Sequence, residues 1–141
     1  FIKIVKELNR DIKNVHIVLT GRKRNYIINE LEKENIKFSY FEMADFSTIN
    51  ELYNCLNLYV VSSRYEGGPQ AILECGVTKT PIISTDVGVA SEILAPESIF
   101  TMENFKNAEP NVEFAYLNSM KYEMNNTFQL FHEMFERLYE N

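Results

Sequence analysis

At 141 residues, 45% hydrophobic and 24% charged, the chain has ordinary globular composition and the length of one domain, enough to bury a core. A formal charge of -6 argues against nucleic acid as a partner, because phosphate neutralisation needs clustered Lys and Arg and the only compact basic run is Arg22-Lys23-Arg24. No run reaches the ~18 apolar residues of a membrane span, the start lacks a signal-peptide pattern, and Cys55 and Cys75 have no metal-site spacing; the expected setting is cytoplasmic, with both thiols reduced and packed.

Phe1, Ile4, Val5 and Leu8 share one helical face, so the chain opens inside a helix and reads as part of a longer protein. VHIVL at 15–19 is a β-branched run ending at Thr20-Gly21, and Ile27, Ile28 and Leu31 mark an amphipathic helix over 24–34. IKFSYF at 36–41 predicts a second strand. Ser47-Thr48 then open a capped short helix with apolar positions Ile49, Leu52, Tyr53 and Leu56. LNLYVVSS at 56–63 is nearly all apolar, as in a strand buried on both faces of a parallel sheet. A helix from about Pro69, the strand PIIST at 81–85 and a short helix near Ala90 to Leu94 follow. This alternation predicts an α/β, doubly wound parallel sheet of Rossmann-like type, read as a single domain over 1–141. Residues 101–118 offer only one or two short helices. Over about 121–139, Phe128, Phe131, Phe135 and Leu138 form an aromatic stripe, read as a helix docking on the domain, with a partner-binding face as the alternative.

The chemistry concentrates in EGGPQAILE, residues 66–74. In a doubly wound sheet, ligands bind beyond the carboxyl ends of the strands, where loops lead into helix N-termini. Gly67 and Gly68 let backbone approach a ligand, Pro69 suits the first helical position, and the amides of the helix start favour an anion such as a diphosphate. Glu66 stands at the mouth of this turn. Glu74, further into the helix, has the acceptor pair that could hold vicinal hydroxyls of a ribose. The same letters also describe a plain turn with a glutamate favoured by the helix dipole, and spacing alone leaves both readings open.

EGGPQAILE, with VVSS before it and TPIISTDVGVASEIL after it, closely resembles the signature of the retaining glycosyltransferases of family 4, which have the GT-B fold. The resemblance is specific over residues 56–95, fainter over 1–55, and fails over roughly 100–120. It implies the C-terminal, donor-binding half of an enzyme that moves a sugar from a nucleotide diphosphate to an acceptor with retention of configuration and without a metal or other cofactor. In this likeness Glu66 is the catalytic-position glutamate, lying against the donor sugar near the reacting carbon. Gly67, Gly68, Pro69 and Gln70 face sugar and diphosphate, Glu74 binds the ribose, and Gly21 and Arg22 border the nucleotide base. Arg64 and Tyr65 shape the mouth. The implied partners are a nucleotide sugar and an acceptor glycan or lipid-linked glycan held by an N-terminal domain outside this chain. The full enzyme would then associate peripherally with the inner face of the membrane and serve polysaccharide biosynthesis.

Two departures from the family pattern stand out: Lys79 occupies the place of a glycine before Pro81, and Val87-Gly88-Val89-Ala90 stands where many members have Gly-Gly. The family's basic pair, an Arg and a Lys that neutralise the leaving diphosphate, would lie before Phe1, on and just after the strand that is central in the order 3-2-1-4-5-6. This chain alone is therefore expected to be inactive, with a gap or a non-standard pairing between strands 15–19 and 57–62. His16 and His132 are assigned core or surface roles. The rival readings are a non-catalytic nucleotide-binding module and, on the same fold, a nucleotide-sugar epimerase or a phosphorylase.

Overall fold

In the computed structural model, which describes residues 1–139, helix and strand alternate from the first turn onward. The order is α1 (Ile2–Ile12), β1 (His16–Thr20), α2 (Asn25–Lys33), β2 (Lys37–Phe41), α3 (Phe46–Cys55), β3 (Tyr59–Val61), α4 (Gln70–Thr78) and β4 (Ile82–Ser84). Three more helices follow: α5 (Ala90–Ile93), α6 (Val112–Ser119) and α7 (Met124–Tyr139), with 3-10 turns at Pro96–Ser98, Phe105–Asn107 and Met120–Tyr122. The chain divides into two compact units, Phe1–Leu52 and Tyr53–Asn141, the boundary falling within α3.

In the first unit β1 and β2 pair in parallel, with His16 opposite Lys37 and Thr20 opposite Phe41. A parallel pair needs a crossover, and α2 supplies it by turning Leu31 inward. Val5, Leu19, Leu31 and Ile36 form the buried core, with Ile17, Ile27 and Phe38 packed around them. Outside that core, the half-buried Lys6 of α1 bridges Glu30 of α2 and the exposed Glu34 at its C-cap. The start of α3 differs from the expected Ser47-Thr48 cap. Asp45 is the capping residue: its Oδ1 accepts the Thr48 N–H at 2.8 Å, three residues on, as a helix-capping carboxylate does. His16 is satisfied by a side-chain bond to Ser39 at 2.9 Å.

In the second unit β3 and β4 pair in parallel, Tyr59 opposite Ile82 and Val61 opposite Ser84. All three residues of β4 are buried, as the continuous apolar run predicts. The ladder continues past β4, where Phe100 N–H donates to Ser84 O at 2.9 Å. Among the described residues the strands thus form two two-stranded parallel sheets, one in each unit, within the expected α/β class.

Residues 101–118 hold more order than their sequence shows. Phe105 and Phe100 pack ring edge to face at 6.5 Å, and α6 starts at Asn111, whose side chain accepts the Phe114 N–H. α6 then lies so close to α4 that a Cβ at Gly76 would stand 2.9 Å from the Ala115 carbonyl oxygen and overlap the Ser119 side chain. The Ser119 hydroxyl is buried there with no hydrogen-bond partner among the described residues. By contrast, the docking expected of the aromatic stripe on α7 is not found. Phe128, Phe131, Phe135 and Leu138 are 55–70% exposed, because the helix turns this face to solvent instead of the core of its unit. Cys55 is likewise exposed, so only Cys75 has the packing role anticipated for both.

Candidate functional site

The loops that leave β3 and β4 run side by side because hydrogen bonds continue beyond the strand ends. Thr85 N–H donates to Val61 O at 3.0 Å, and the Thr85 hydroxyl donates to Ser63 O at 2.7 Å. The first loop carries Glu66, Gly67, Gly68 and Pro69 into α4, and the second carries Gly88. Gly88 has φ +53°, a left-handed conformation that favours glycine, and a Cβ on it would stand 2.9 Å from Gly68 Cα, Gly68 N and Pro69 Cδ. The second loop is therefore seated directly on the glycine turn. The sequence marks Val87-Gly88-Val89-Ala90 only as a departure from the family's Gly-Gly, although a lone glycine between two β-branched residues is a signal of close backbone approach.

Gly67 and Gly68 differ from Gly88 in kind. Neither has the left-handed φ of Gly21 and Gly88, and a Cβ at either would meet nothing within 4 Å. Internal packing gives no reason for glycine at these two places. Pro69 is buried and caps α4 with an extended backbone and no side-chain hydrogen bond, and Gln70 opens the helix. The first amides of a helix lack intrahelical partners, so this start offers donors to an anion. Glu66 and Gln70 are exposed on either side of the turn.

Glu74 projects from the exposed face of α4, and the Tyr53 hydroxyl donates to its Oε2 at 2.6 Å. Tyr53 was legible only as an apolar position of α3. A tyrosine on a buried face does carry a signal, since its hydroxyl needs a partner when the ring is covered. The ends of α3 and α4 are tied further by two threonines: Thr80 donates to Tyr53 O at 2.9 Å, Thr78 reaches Glu74 O at 2.8 Å, and the two hydroxyls lie 2.7 Å apart. Lys79 resolves one departure from the family pattern. It adopts the left-handed conformation (φ 56°, ψ 31°) that a glycine takes at a helix end, while its ammonium lies 4.1 Å from the centre of the Tyr116 ring and 3.3 Å from Glu113. The turn before Pro81 is kept without the glycine.

In the first unit, Gly21 ends β1 with φ +83°. Its N–H donates to Phe41 O at 3.1 Å and its carbonyl accepts the Tyr40 hydroxyl at 3.0 Å, so the turn is fixed against the end of β2. Arg24 braces the same turn through Thr20 O at 2.8 Å, and the exposed Arg22 contacts Met43 Sδ at 3.2 Å. The structure thus brings Gly67, Gly68, Pro69, Gln70 and Gly88 together at the head of α4, with Glu74 further along it. Gly21 and Arg22 belong to the first unit. His132 pairs with Glu136 on α7, and among the described residues no group of three or more His, Cys, Asp or Glu could hold a metal ion. No helix among them is long and apolar enough to cross a membrane.

Residues 1–110 match the family described as "Glycosyl transferases group 1". No curated protein matches the sequence. Among solved structures, a chain of "Crystal structure of GtfA/B complex" superposes with a TM-score of 0.73 at 13% identity, over 99% of this chain and 33% of that one. The present chain therefore spans about a third of that neighbour, and the likeness is one of fold. With a family match over most of its length and parallel α/β units built around loop-to-helix turns, the chain belongs to the group 1 glycosyl transferases and has the Rossmann-like architecture of one half of a GT-B fold.

Proposed function

We propose that this chain supplies the donor-binding part of a glycosyltransferase that moves a sugar from a nucleoside diphosphate to an acceptor with retention of configuration. One observation carries the reading: Gly88 is pressed against Gly68 and Pro69, while Gly67 and Gly68 face open space at the head of a helix whose cap makes no side-chain hydrogen bond. Two loops are thereby held together around backbone that no side chain covers. A diphosphate is the chemistry this arrangement accepts, through helix amides and close backbone approach. Charge developing on the departing diphosphate would be met by the same preorganised donors, each commonly contributing ~3 kcal/mol to such a step. Glu66, exposed beside the turn, would orient the donor sugar or stabilise positive charge at its anomeric carbon, and Glu74 would hold the ribose. The assignment of Gly21 and Arg22 to the base rests on the family resemblance and is tested separately by Arg22→Ala.

Transfer needs an acceptor, a glycan or lipid-linked glycan in this reading, and no metal or other cofactor. Calorimetric titration of uridine, guanosine and adenosine diphosphates, followed by the sugar nucleotides of whichever binds, tests the proposal. Binding of one diphosphate that is strongly weakened by Glu74→Ala supports it. A folded protein that binds none of the three sinks it.

A further inference from the structure

Tyr53 belongs to the core of its unit, yet its hydroxyl bonds to a side chain outside that core. Its ring is only 8% exposed and packs on the Tyr59 ring at a centroid distance of 5.7 Å, so the apolar part is at home in the core. The hydroxyl, however, reaches out of that core to an exposed carboxylate, Glu74 Oε2, at 2.6 Å. Buried phenols usually bond to backbone or water; a short bond to an ionised acceptor is among the stronger kinds and fixes the acceptor's geometry as well as its position.

We propose that Tyr53 is a positioning residue for nucleotide recognition: its phenol holds the Glu74 carboxylate in the orientation that receives two vicinal hydroxyls of a ribose. This inference rests on the donor-binding reading above. Glutamate is among the side chains with the most rotamer freedom to lose on ordering. On the exposed face of α4, an untethered Glu74 would have to be ordered by the ligand itself. With Oε2 tied to a buried ring that packs on Tyr59, that ordering is complete before the ligand arrives, the usual way in which preorganisation raises affinity. Burial, and then the bond to Glu74, push the phenol well above the usual tyrosine range, so it stays a donor wherever the protein is folded. The backbone is held as firmly as the side chain, since Tyr53 O accepts both the Thr80 hydroxyl and the Leu56 N–H.

The test is a double-mutant cycle in the intact protein, read by calorimetry with the tightest-binding of uridine, guanosine and adenosine diphosphates and with its 2′,3′-dideoxy counterpart. Tyr53→Phe keeps the ring on Tyr59 and leaves only an exposed carboxylate without its donor; circular dichroism checks the fold. The expected result is an affinity for the ribonucleotide about ten-fold lower in Tyr53→Phe, with the dideoxynucleotide unaffected and no further loss when Tyr53→Phe is added to Glu74→Ala. Equal losses for both nucleotides, no loss for either, or a Tyr53→Phe chain that does not fold would each show a structural role and overturn the proposal. If Glu74→Ala itself fails to distinguish ribo- from dideoxynucleotide, the ribose reading of Glu74 falls, and the role of Tyr53 with it. If Glu74→Ala distinguishes them and Tyr53→Phe does not, only the Tyr53 proposal falls.

Discussion

Substituting Gly68 by alanine, and comparing it with the same change at Gly88, separates a ligand-facing glycine from a packing one. At Gly68 the new methyl meets no atom within 4 Å and φ lies outside the left-handed region, so the folded state gains no clash. The unfolded chain loses freedom, which stabilises such a site by about 0.4–1 kcal/mol. Unfolding entropy of about 2.1 cal/mol/K per residue over a chain of this size converts that into a rise in Tm of about 1–3 °C. Gly88→Ala runs the other way. A left-handed alanine costs about 1–2 kcal/mol, and a Cβ 2.9 Å from the backbone of Gly68 adds the ~1–3 kcal/mol typical of overpacking. The sum, about 2–5 kcal/mol, lowers Tm by about 7–17 °C. Scanning calorimetry reads both shifts, and titration with the nucleoside diphosphate reads function. In Gly68→Ala the methyl stands where the diphosphate should approach, so binding falls at least about ten-fold in a protein that is no less stable. Destabilisation by Gly68→Ala would refute the open-space argument, and undiminished binding would refute the assignment of this turn to the ligand.

Three other outcomes follow from the packing and the charges. Gly76→Ala forces α4 off α6 and is expected to destabilise by about 1–3 kcal/mol in urea unfolding, whereas Ser119→Ala removes a buried hydroxyl that has no partner and is expected to be neutral or stabilising. Alkylation of the native protein near neutral pH, followed by peptide mass spectrometry, should modify exposed Cys55 alone; burial, with the Glu74 charge adding to it, pushes the Cys75 thiol far above its ordinary pKa and keeps it protonated. The bond from the Thr48 backbone N–H lowers the Asp45 pKa below its ordinary 3.8, so the cap contributes fully above that value and is lost as pH falls through the depressed one. Melting curves of the parent and Asp45→Asn should therefore differ near neutral pH and converge in acid.

Periodicity made the alternating elements readable because β-branched runs such as 15–19 and apolar repeats such as Ile27, Ile28 and Leu31 are local signals. The glycine turn and the position of Glu74 were readable for the same reason, since a loop between a buried strand and a helix is defined by its own residues. What escaped depends on partners distant in sequence. Tyr53 finds Glu74 21 residues away, Gly88 finds Gly68, and Gly76 finds Ser119; none of these pairings leaves a periodic trace. α6 was obscured because its apolar and polar residues follow no clean helical face, and what fixes it is Gly76 beneath it. The stripe on α7 shows the converse error: a strong amphipathic pattern predicts a helix, not what that helix will touch.

The near-contact of α4 with α6 has a further consequence. α4 is gripped from two directions, by Tyr53 at Glu74 and by Ala115 and Ser119 at Gly76, with no slack between Gly76 and its neighbours. Gly76 lies two residues from Glu74 on the same helix, so a substitution in α6 that displaces Gly76 is expected to displace the Glu74 carboxylate as well. Residues 112–119 lie outside the 1–110 span that matches the family. If Glu74 holds the ribose as proposed, its placement is thus tied to a segment outside the family match, and substitutions there are expected to alter nucleotide affinity without touching the nucleotide.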